Sequence, residues 1–159
     1  MTAVPDPDRS GHRLFSALIG LAAVAVLLQG LWAGIFLEHD GRRDAASSWI
    51  DVHARGADVA ILLAVLATLV ALIKLRHRRD LVIGSGVLTL LLVVESYLGG
   101  LIRDSGKDTL TAIHVPLAMA LMALVVWLPL RARRLETDWL TEPWPADRQQ
   151  ARTDARQPG

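Results

Sequence analysis

The chain alternates between long apolar runs and short polar breaks. Its charged residues collect in the breaks and at the two ends, which leaves apolar runs near residues 14–37, 49–75, 81–102 and 110–130. Each run has about the 20 residues that an α-helix needs to cross roughly 30 Å of hydrocarbon. The pattern predicts an all-α integral membrane protein in which residues 14–134 form a four-helix transmembrane bundle.

The first apolar run could be mistaken for a signal peptide. It is longer than the core of a secretory signal peptide and lacks a small-x-small cleavage pattern, so we assign it to the first transmembrane helix.

The two ends of the chain differ in composition from the apolar runs. Residues 1–13 and 135–159 are rich in proline and charge and show little apolar periodicity. Such composition predicts disordered tails.

Composition excludes several kinds of site. Hydrophobic residues make up 52% of the chain and the net charge is +1, so the overall charge does not indicate a nucleic-acid partner. The chain has no cysteine, which excludes disulfides, thiolate metal ligands and covalently attached haem.

The cations are distributed unevenly among the breaks. Arginine and lysine precede the first run, fill the break between the second and third runs, and follow the fourth run. The positive-inside rule therefore predicts that both termini and the central loop are cytoplasmic and that the loops at 38–48 and 103–109 face outward. We expect a multi-pass protein of a bacterial inner (cytoplasmic) membrane, with the lipid bilayer as its first partner.

The two halves of the chain repeat. His53 opens the second run and His114 opens the fourth, 61 residues later (114 − 53), while Gln29 and Glu95 each lie near the end of the preceding run. Because the second and fourth helices both begin on the outer side, the internal two-helix repeat predicts that the two histidines share one depth. With helix caps at Ser47 or Ser48 and at Asp108 or Thr109, that depth is about 7–9 Å below the outer helix ends.

The spacing of small residues predicts which way the histidines point. Steps of four and three residues from each histidine meet apolar positions along one helix face. These are Ala57, Ala60, Ala64, Ala67 and Ala71 after His53, and Ala118, Leu121, Val125 and Leu128 after His114. Small side chains let helices approach closely, so we expect both imidazoles to point into the bundle.

Two inward imidazoles at one depth indicate a haem site. Neutral imidazole is a common metal ligand, and axial ligation from opposite sides holds a b-type haem in a helical bundle. A bare metal ion is less favoured because the nearby acidic residues lie at other depths. Arg55 and Arg103 lie on the outer side, where haem propionates would emerge, although ordinary loop solvation also explains such cations. An intramembrane histidine can also serve only to hydrogen-bond a neighbouring helix.

Glu95 and Gln29 form a second pair of buried polar candidates. Glu95 lies seven residues inside the predicted end of the third helix (102 − 95), and Gln29 has the matching position in the first. A buried carboxyl group is protonated or paired with a cation or an imidazole, and it could gate protons or hold a quinone oxygen. The simpler expectation is a hydrogen bond between Glu95 and Gln29 or a helix backbone.

Four short segments surround the candidate residues. They are Gln29-x-x-Trp32-x-Gly34, Val52-His53-x-x-Gly56-Ala57, Leu98-Gly99-Gly100-Leu101-Ile102-Arg103-x-Ser105-Gly106 and Ile113-His114-x-x-x-Ala118. Together they resemble one four-helix half of haem A synthase, and they are equally similar to small uncharacterised four-helix bacterial membrane proteins with paired histidines. The resemblance covers about residues 14–134 and implies that His53 and His114 are axial ligands of haem b.

The chain departs from haem A synthase in three ways. The catalytic half of that family has an acidic residue three positions before its first histidine, where this chain has Ile50 and its nearest acid is Asp51. The extracellular cysteine pair of many members is missing, and only one of the two halves is present. The resemblance therefore implies haem binding without implying farnesyl-haem oxidation.

These observations leave two functions open. The first is a single-haem, cytochrome b-like protein near the outer face, which takes part in electron transfer or haem handling with a quinone or a redox protein as partner. Whether it is an enzyme stays open, and a redox protein is expected rather than a stand-alone enzyme. The second is a non-catalytic subunit or assembly factor whose histidines only pack, in a homodimer or a larger membrane complex.

Overall fold

Four long helices account for nearly all of the structure. The structure is a computed structural model that describes residues 7–38 and 43–141, and it contains no strand in these ranges. A single 3₁₀ turn, Asp108–Leu110, precedes the last helix. The helices are α1 (Pro7–Leu37), α2 (Arg43–Lys74), α3 (Arg79–Ser105) and α4 (Thr111–Thr141). The prediction of an all-α chain with four long helices is confirmed.

The first and last helices extend beyond the predicted apolar runs. α1 begins at Pro7, and proline suits the first helical turn, where no amide donor is needed. α4 continues to Thr141. Residues 7–13 and 135–141, which were predicted to belong to disordered tails, are therefore helical. Hydropathy shows where an apolar surface ends, whereas a helix continues for as long as its backbone hydrogen bonds do. The remaining tail residues, 1–6 and 142–159, lie outside the described residues.

The start of α2 also differs from the prediction. α2 begins at Arg43, so Ser47 and Ser48 lie within the helix and do not cap it. His53 is ten residues beyond the first residue of α2 (53 − 43), and His114 is three beyond that of α4 (114 − 111). The predicted depth of about 7–9 Å below each helix end was therefore wrong, because ten residues of helix span about 15 Å and three span about 4.5 Å. Counting from the helix ends does not give the depth of the two histidines in the bundle, because α2 begins further before its apolar segment than α4 does.

The helices are arranged as a ring. α1 packs against α2 and α4, and α3 packs against the same two helices. Among the described residues, α1 and α3 make no backbone contact with each other, nor do α2 and α4, so each of these pairs is diagonal. Neighbouring helices pack about 8–10 Å apart, which puts diagonal axes about 11–14 Å apart. The helices that carry His53 and His114 are thus opposite each other in the ring.

One stripe of each helix faces the centre of the ring. Most positions of the predicted stripes are buried, namely Ala60, Ala64, Ala67, Ala71, Leu121, Val125 and Leu128. Ala57 and Ala118, the positions nearest the histidines, are half-buried. The core is completed by Phe15, Ile19, Ala22 and Val26 of α1 and by Leu81, Leu88 and Leu92 of α3.

The outer surface of the ring is apolar. Four segments are long and apolar enough to cross a membrane: Ser10–Ile35, Ala45–Lys74, Arg79–Ser105 and Asp108–Arg133. Large apolar side chains on their outer faces are exposed, and Ile73, at 72% exposure, is an example. A continuous exposed apolar surface of this kind marks contact with lipid or another protein. The four helices therefore indicate a multi-pass membrane protein.

Two polar contacts join neighbouring helices away from the histidines. The hydroxyl groups of Thr68 on α2 and Thr89 on α3 lie 3.0 Å apart. Near the end of the bundle where the chain starts and finishes, Nε of Arg131 donates a hydrogen bond of 2.8 Å to Asp80. These contacts connect α3 to both of its neighbours.

Candidate functional site

The apolar core ends in a layer of four polar residues, one from each helix. Gln29 follows Val26 by three positions on the inner face of α1, and Glu95 follows Leu92 by three positions on α3. His53 and His114 continue the inner stripes of α2 and α4. We call Gln29, His53, Glu95 and His114 the polar layer. It lies at the end of the bundle where α1 and α3 finish and α2 and α4 begin.

Contact between α1 and α2 sets the orientation of the first histidine. Nδ1 of His53 lies 3.2 Å from the main-chain oxygen of Gln29. A carbonyl oxygen only accepts hydrogen bonds, so Nδ1 is the donor and Nε2 of the neutral ring carries the lone pair. Histidines that bind metals usually donate their other ring nitrogen to a carbonyl or carboxylate in this way. The arrangement suits His53 to bind a metal through Nε2.

The second histidine has a carboxylate in the corresponding place. Nδ1 of His114 lies 3.2 Å from Oε1 of Glu95, and Glu95 is only 9% exposed. The distance is that of an ion pair, but the two atoms are not aligned as a hydrogen bond. The expected hydrogen bond between Glu95 and Gln29 is absent from the described residues, so that prediction was wrong. The partner of Glu95 is the imidazole on the next helix.

Two glycines make room for these contacts. A Cβ atom at Gly99 would lie 3.4 Å from Cε1 of His114, so the imidazole ring packs on α3 beside this glycine. On the other hairpin, the ring of Trp32 and the side-chain amide of Gln29 lie directly over Gly56, where a Cβ atom would overlap both. Only glycine therefore permits the close approach of α1 to α2 beside His53.

Several buried atoms of the polar layer have no hydrogen-bond partner among the described residues. They are both side-chain polar atoms of Gln29, both carboxyl oxygens of Glu95 and Nδ1 of His114. The large majority of buried polar atoms in proteins are hydrogen-bonded, so a cluster of exceptions needs an explanation. Here the unpartnered atoms belong to three of the four residues in one layer. The layer therefore has unused capacity to bind a polar or charged group.

Residues of both hairpins lie close together in the polar layer. The ring of His53 lies within electrostatic range of His114 and Glu95, which belong to the other hairpin. An electrostatic influence needs short separations and partial burial, because water screens charges that are exposed and distant. The fold thus brings together residues that lie up to 85 positions apart in the sequence (114 − 29).

The two arginines predicted near haem propionates lie outside the polar layer. Arg55 is exposed on α2. Arg103 forms ion pairs with Asp104 at 2.9 Å and with Asp51 at 3.3 Å, and the second pair joins α3 to α2. Their contact with propionates stays a prediction.

Sequence reasoning found all four members of the layer but missed part of its construction. Gly56 and Trp32 were noted only within the segments that resemble haem A synthase. A glycine three positions after a candidate ligand was the available signal for a close helix contact. The described residues contain no group of three or more histidine, cysteine, aspartate or glutamate side chains that could hold a metal ion.

Comparisons of the chain with known proteins found no match. No protein-family model, curated protein or solved structure matches this chain. The similarity to haem A synthase therefore stays a prediction from the sequence.

Proposed function

We propose that this chain is an integral membrane protein that binds a single b-type haem through His53 and His114. The proposal rests chiefly on the shared orientation of the two rings. Each histidine turns Nδ1 towards an acceptor on the preceding helix, the main-chain oxygen of Gln29 at 3.2 Å and Oε1 of Glu95 at 3.2 Å. The hydrogen bond of His53 makes Nε2 its ligand atom, and the position of Nδ1 of His114 beside Glu95 favours the same nitrogen there.

The donor set fits a haem better than a bare metal ion. Two imidazoles on diagonal helices would hold the haem iron between α2 and α4. A simple metal ion would need a third protein ligand, and no suitable group of three occurs in the described residues. When bound, the haem would supply one-electron chemistry, and the chain would position it and exclude water.

The acceptors on the preceding helices tune the two ligands. A carboxylate beside an imidazole increases the basicity of the ring and fixes its orientation. Glu95 is placed to do this for His114, while the carbonyl of Gln29 orients His53 without adding charge. The difference makes the two ligands chemically unequal.

The proposed function is electron transfer or haem handling in a bacterial inner membrane. The cations around the chain termini and in the central loop support a cytoplasmic location of those parts by the positive-inside rule, and the polar layer would then lie near the outer face. A quinone or a redox protein is the proposed partner. One haem near one surface suits exchange with such a partner on that side.

Absorption spectra test the haem proposal. The full chain, expressed in a haem-replete host and solubilised in mild detergent, should show a Soret band and an α-band that sharpens on reduction. The variants His53→Ala and His114→Ala should lose both bands. His77→Ala is the matched control, because His77 is exposed in the loop between α2 and α3 and should leave the spectrum unchanged. Circular dichroism checks that each variant keeps its helices.

A second candidate function is a non-catalytic packing role. The observation in its favour is that each histidine contacts the helix before it, so each contact also fastens one hairpin. A folded, monodisperse wild-type protein with no haem bands from a haem-replete host would support this role and reject the haem proposal. The unpartnered atoms of Gln29 and Glu95 argue against pure packing, because a packing layer has no reason to leave them unsatisfied.

A further inference from the structure

A groove lies between α1 and α4 at the end of the bundle opposite the polar layer. Its volume is about 270 Å³. Small residues of α1 form one wall, and the other wall belongs to the last part of the apolar segment of α4. The lining includes Ser16, Gly20 and Ala23 on α1 and Pro129, Leu130 and Arg133 on α4.

The groove exists because α1 has little side-chain volume at this level. A Cβ atom at Gly20 would meet nothing within 4 Å, so this position faces open space. From Ser16 to Ala23 the groove follows α1 for seven residues, or about 10 Å along the helix. A shallow apolar channel of this length suits an extended chain better than a compact ligand.

Two arginines lie at the end of the groove near the start of α1 and the last turns of α4. Arg133 lines the groove itself, and Arg13 precedes Ser16 by three positions on the same face of α1. Both side chains are exposed, and neither forms an ion pair or a hydrogen bond within the described part of the chain. Arg131 differs from them, because Asp80 already pairs with it at 2.8 Å. The positive charges of Arg13 and Arg133 are therefore available to a ligand at this end of the groove.

Both arginines lie at the border of the apolar segments. Arg133 is the last residue of the span Asp108–Arg133, and Arg13 is the fourth residue of Ser10–Ile35. The groove runs from these charges into the apolar part of the bundle. A ligand that fills it must carry an anionic group at the membrane surface and a hydrocarbon chain within the membrane.

We propose that this groove binds one anionic phospholipid, whose phosphate lies between Arg13 and Arg133 and whose acyl chain follows the groove. Guanidinium groups match phosphate geometry, and basic sites beside transmembrane helices bind anionic lipid head groups. A free phosphate ion would leave the groove empty, and a zwitterionic lipid would leave the two positive charges uncompensated. The site is separate from the polar layer and does not depend on haem binding.

Native mass spectrometry of the full chain tests this site. The protein is transferred from micelles that contain equal amounts of phosphatidylglycerol and phosphatidylcholine with identical acyl chains. We expect one retained phosphatidylglycerol, favoured over phosphatidylcholine. Arg13→Gln and Arg133→Gln should each reduce that preference about fivefold. Arg76→Gln is the charge control, because Arg76 is exposed in the loop at the same end of the bundle.

Glycine variants test the groove independently of charge. Gly20→Leu should fill the groove and abolish retention of either lipid, without disturbing the helix packing. Gly86→Leu is the matched control, because a Cβ atom at Gly86 also meets nothing within 4 Å and this residue does not line the groove. Retained lipid in Gly20→Leu at the wild-type level would overturn the proposal.

Three other outcomes would also overturn the proposal. The first is an unchanged lipid preference in the Arg13→Gln/Arg133→Gln double variant. The second is displacement of the lipid by glycerol phosphate at an equal concentration, which would show a head-group site without a use for the groove. The third is a dimer that Gly20→Leu dissociates, because the occupant would then be a second copy of the chain.

Discussion

Replacing Gly56 by alanine should destabilise the bundle, although alanine favours helices. The new Cβ atom would overlap the ring of Trp32 and the side-chain amide of Gln29. The amide can turn aside because it ends a flexible side chain. The indole ring is rigid, so α1 and α2 must separate locally. That separation would also lengthen the 3.2 Å contact between His53 and the main-chain oxygen of Gln29.

The size of the effect follows from three contributions. Overpacking of a tight contact costs about 1–3 kcal/mol. Loss of an interhelical hydrogen bond within a membrane costs about 0.6 kcal/mol. The change from glycine to alanine in a helix contributes about 0.5–1 kcal/mol in the opposite direction. The balance is a net loss of about 1–3 kcal/mol.

Unfolding in mixed micelles, followed by circular dichroism as the fraction of denaturing detergent rises, measures this loss. Gly30→Ala is the matched control, because Gly30 lies beside Gln29 on α1 and a Cβ atom there meets nothing within 4 Å. That variant should be as stable as the wild type or slightly more stable. Equal stability of the Gly56 and Gly30 variants would refute the close contact between α1 and α2. If the haem proposal holds, only Gly56→Ala should also alter the absorption bands.

Two further predictions concern the contacts that join α3 to its neighbours. The hydroxyl groups of Thr68 and Thr89 also donate to main-chain oxygens of their own helices, at 2.8 Å and 3.0 Å, and each has a single proton. A double-mutant cycle with Thr68→Val and Thr89→Val should therefore give a coupling energy of at most about 0.6 kcal/mol, and a value above 1.5 kcal/mol would contradict this. The ion pair of Asp80 and Arg131 is partly exposed, so salt should weaken it. A double-mutant cycle of Asp80→Asn and Arg131→Gln should give a coupling energy of about 0.5–1 kcal/mol in low salt and less in high salt. A coupling energy that does not change with salt would contradict this prediction.

The inward faces of the helices could be predicted because spacing alone determines them. Ala60 and Ala64 fall on the same face as His53 in any regular helix, and burial of that face follows from the need to pack small side chains together. Glu95 and Gln29 were found in another way, from their matching positions near the ends of the third and first apolar runs. These predictions needed no knowledge of how the helices are arranged.

The partners of the polar residues could not be predicted in this way. Spacing along one helix does not determine which atom of a neighbouring helix lies opposite, because that depends on the axial register of the two helices. Gly56 and the ring of Trp32 are part of the contact that positions α1 against α2, and this position brings the main-chain oxygen of Gln29 to His53. Glu95 likewise meets His114, where the sequence favoured Gln29 or a helix backbone.

The two hairpins repeat one arrangement but use different chemical groups beside the histidine. In both hairpins the first helix supplies the acceptor that faces Nδ1 of the histidine on the second. On the first hairpin that acceptor is a main-chain oxygen, which no substitution of Gln29 removes, and the Gln29 side chain is left without a hydrogen bond in the described residues. On the second hairpin it is the carboxyl group of Glu95, whose Oε1 lies 3.2 Å from Nδ1 of His114. In the proposed haem site this difference would make the two ligands unequal, because a carboxyl group beside one imidazole alters the electron density of that ring alone. In a pure packing role the same difference would have no such consequence.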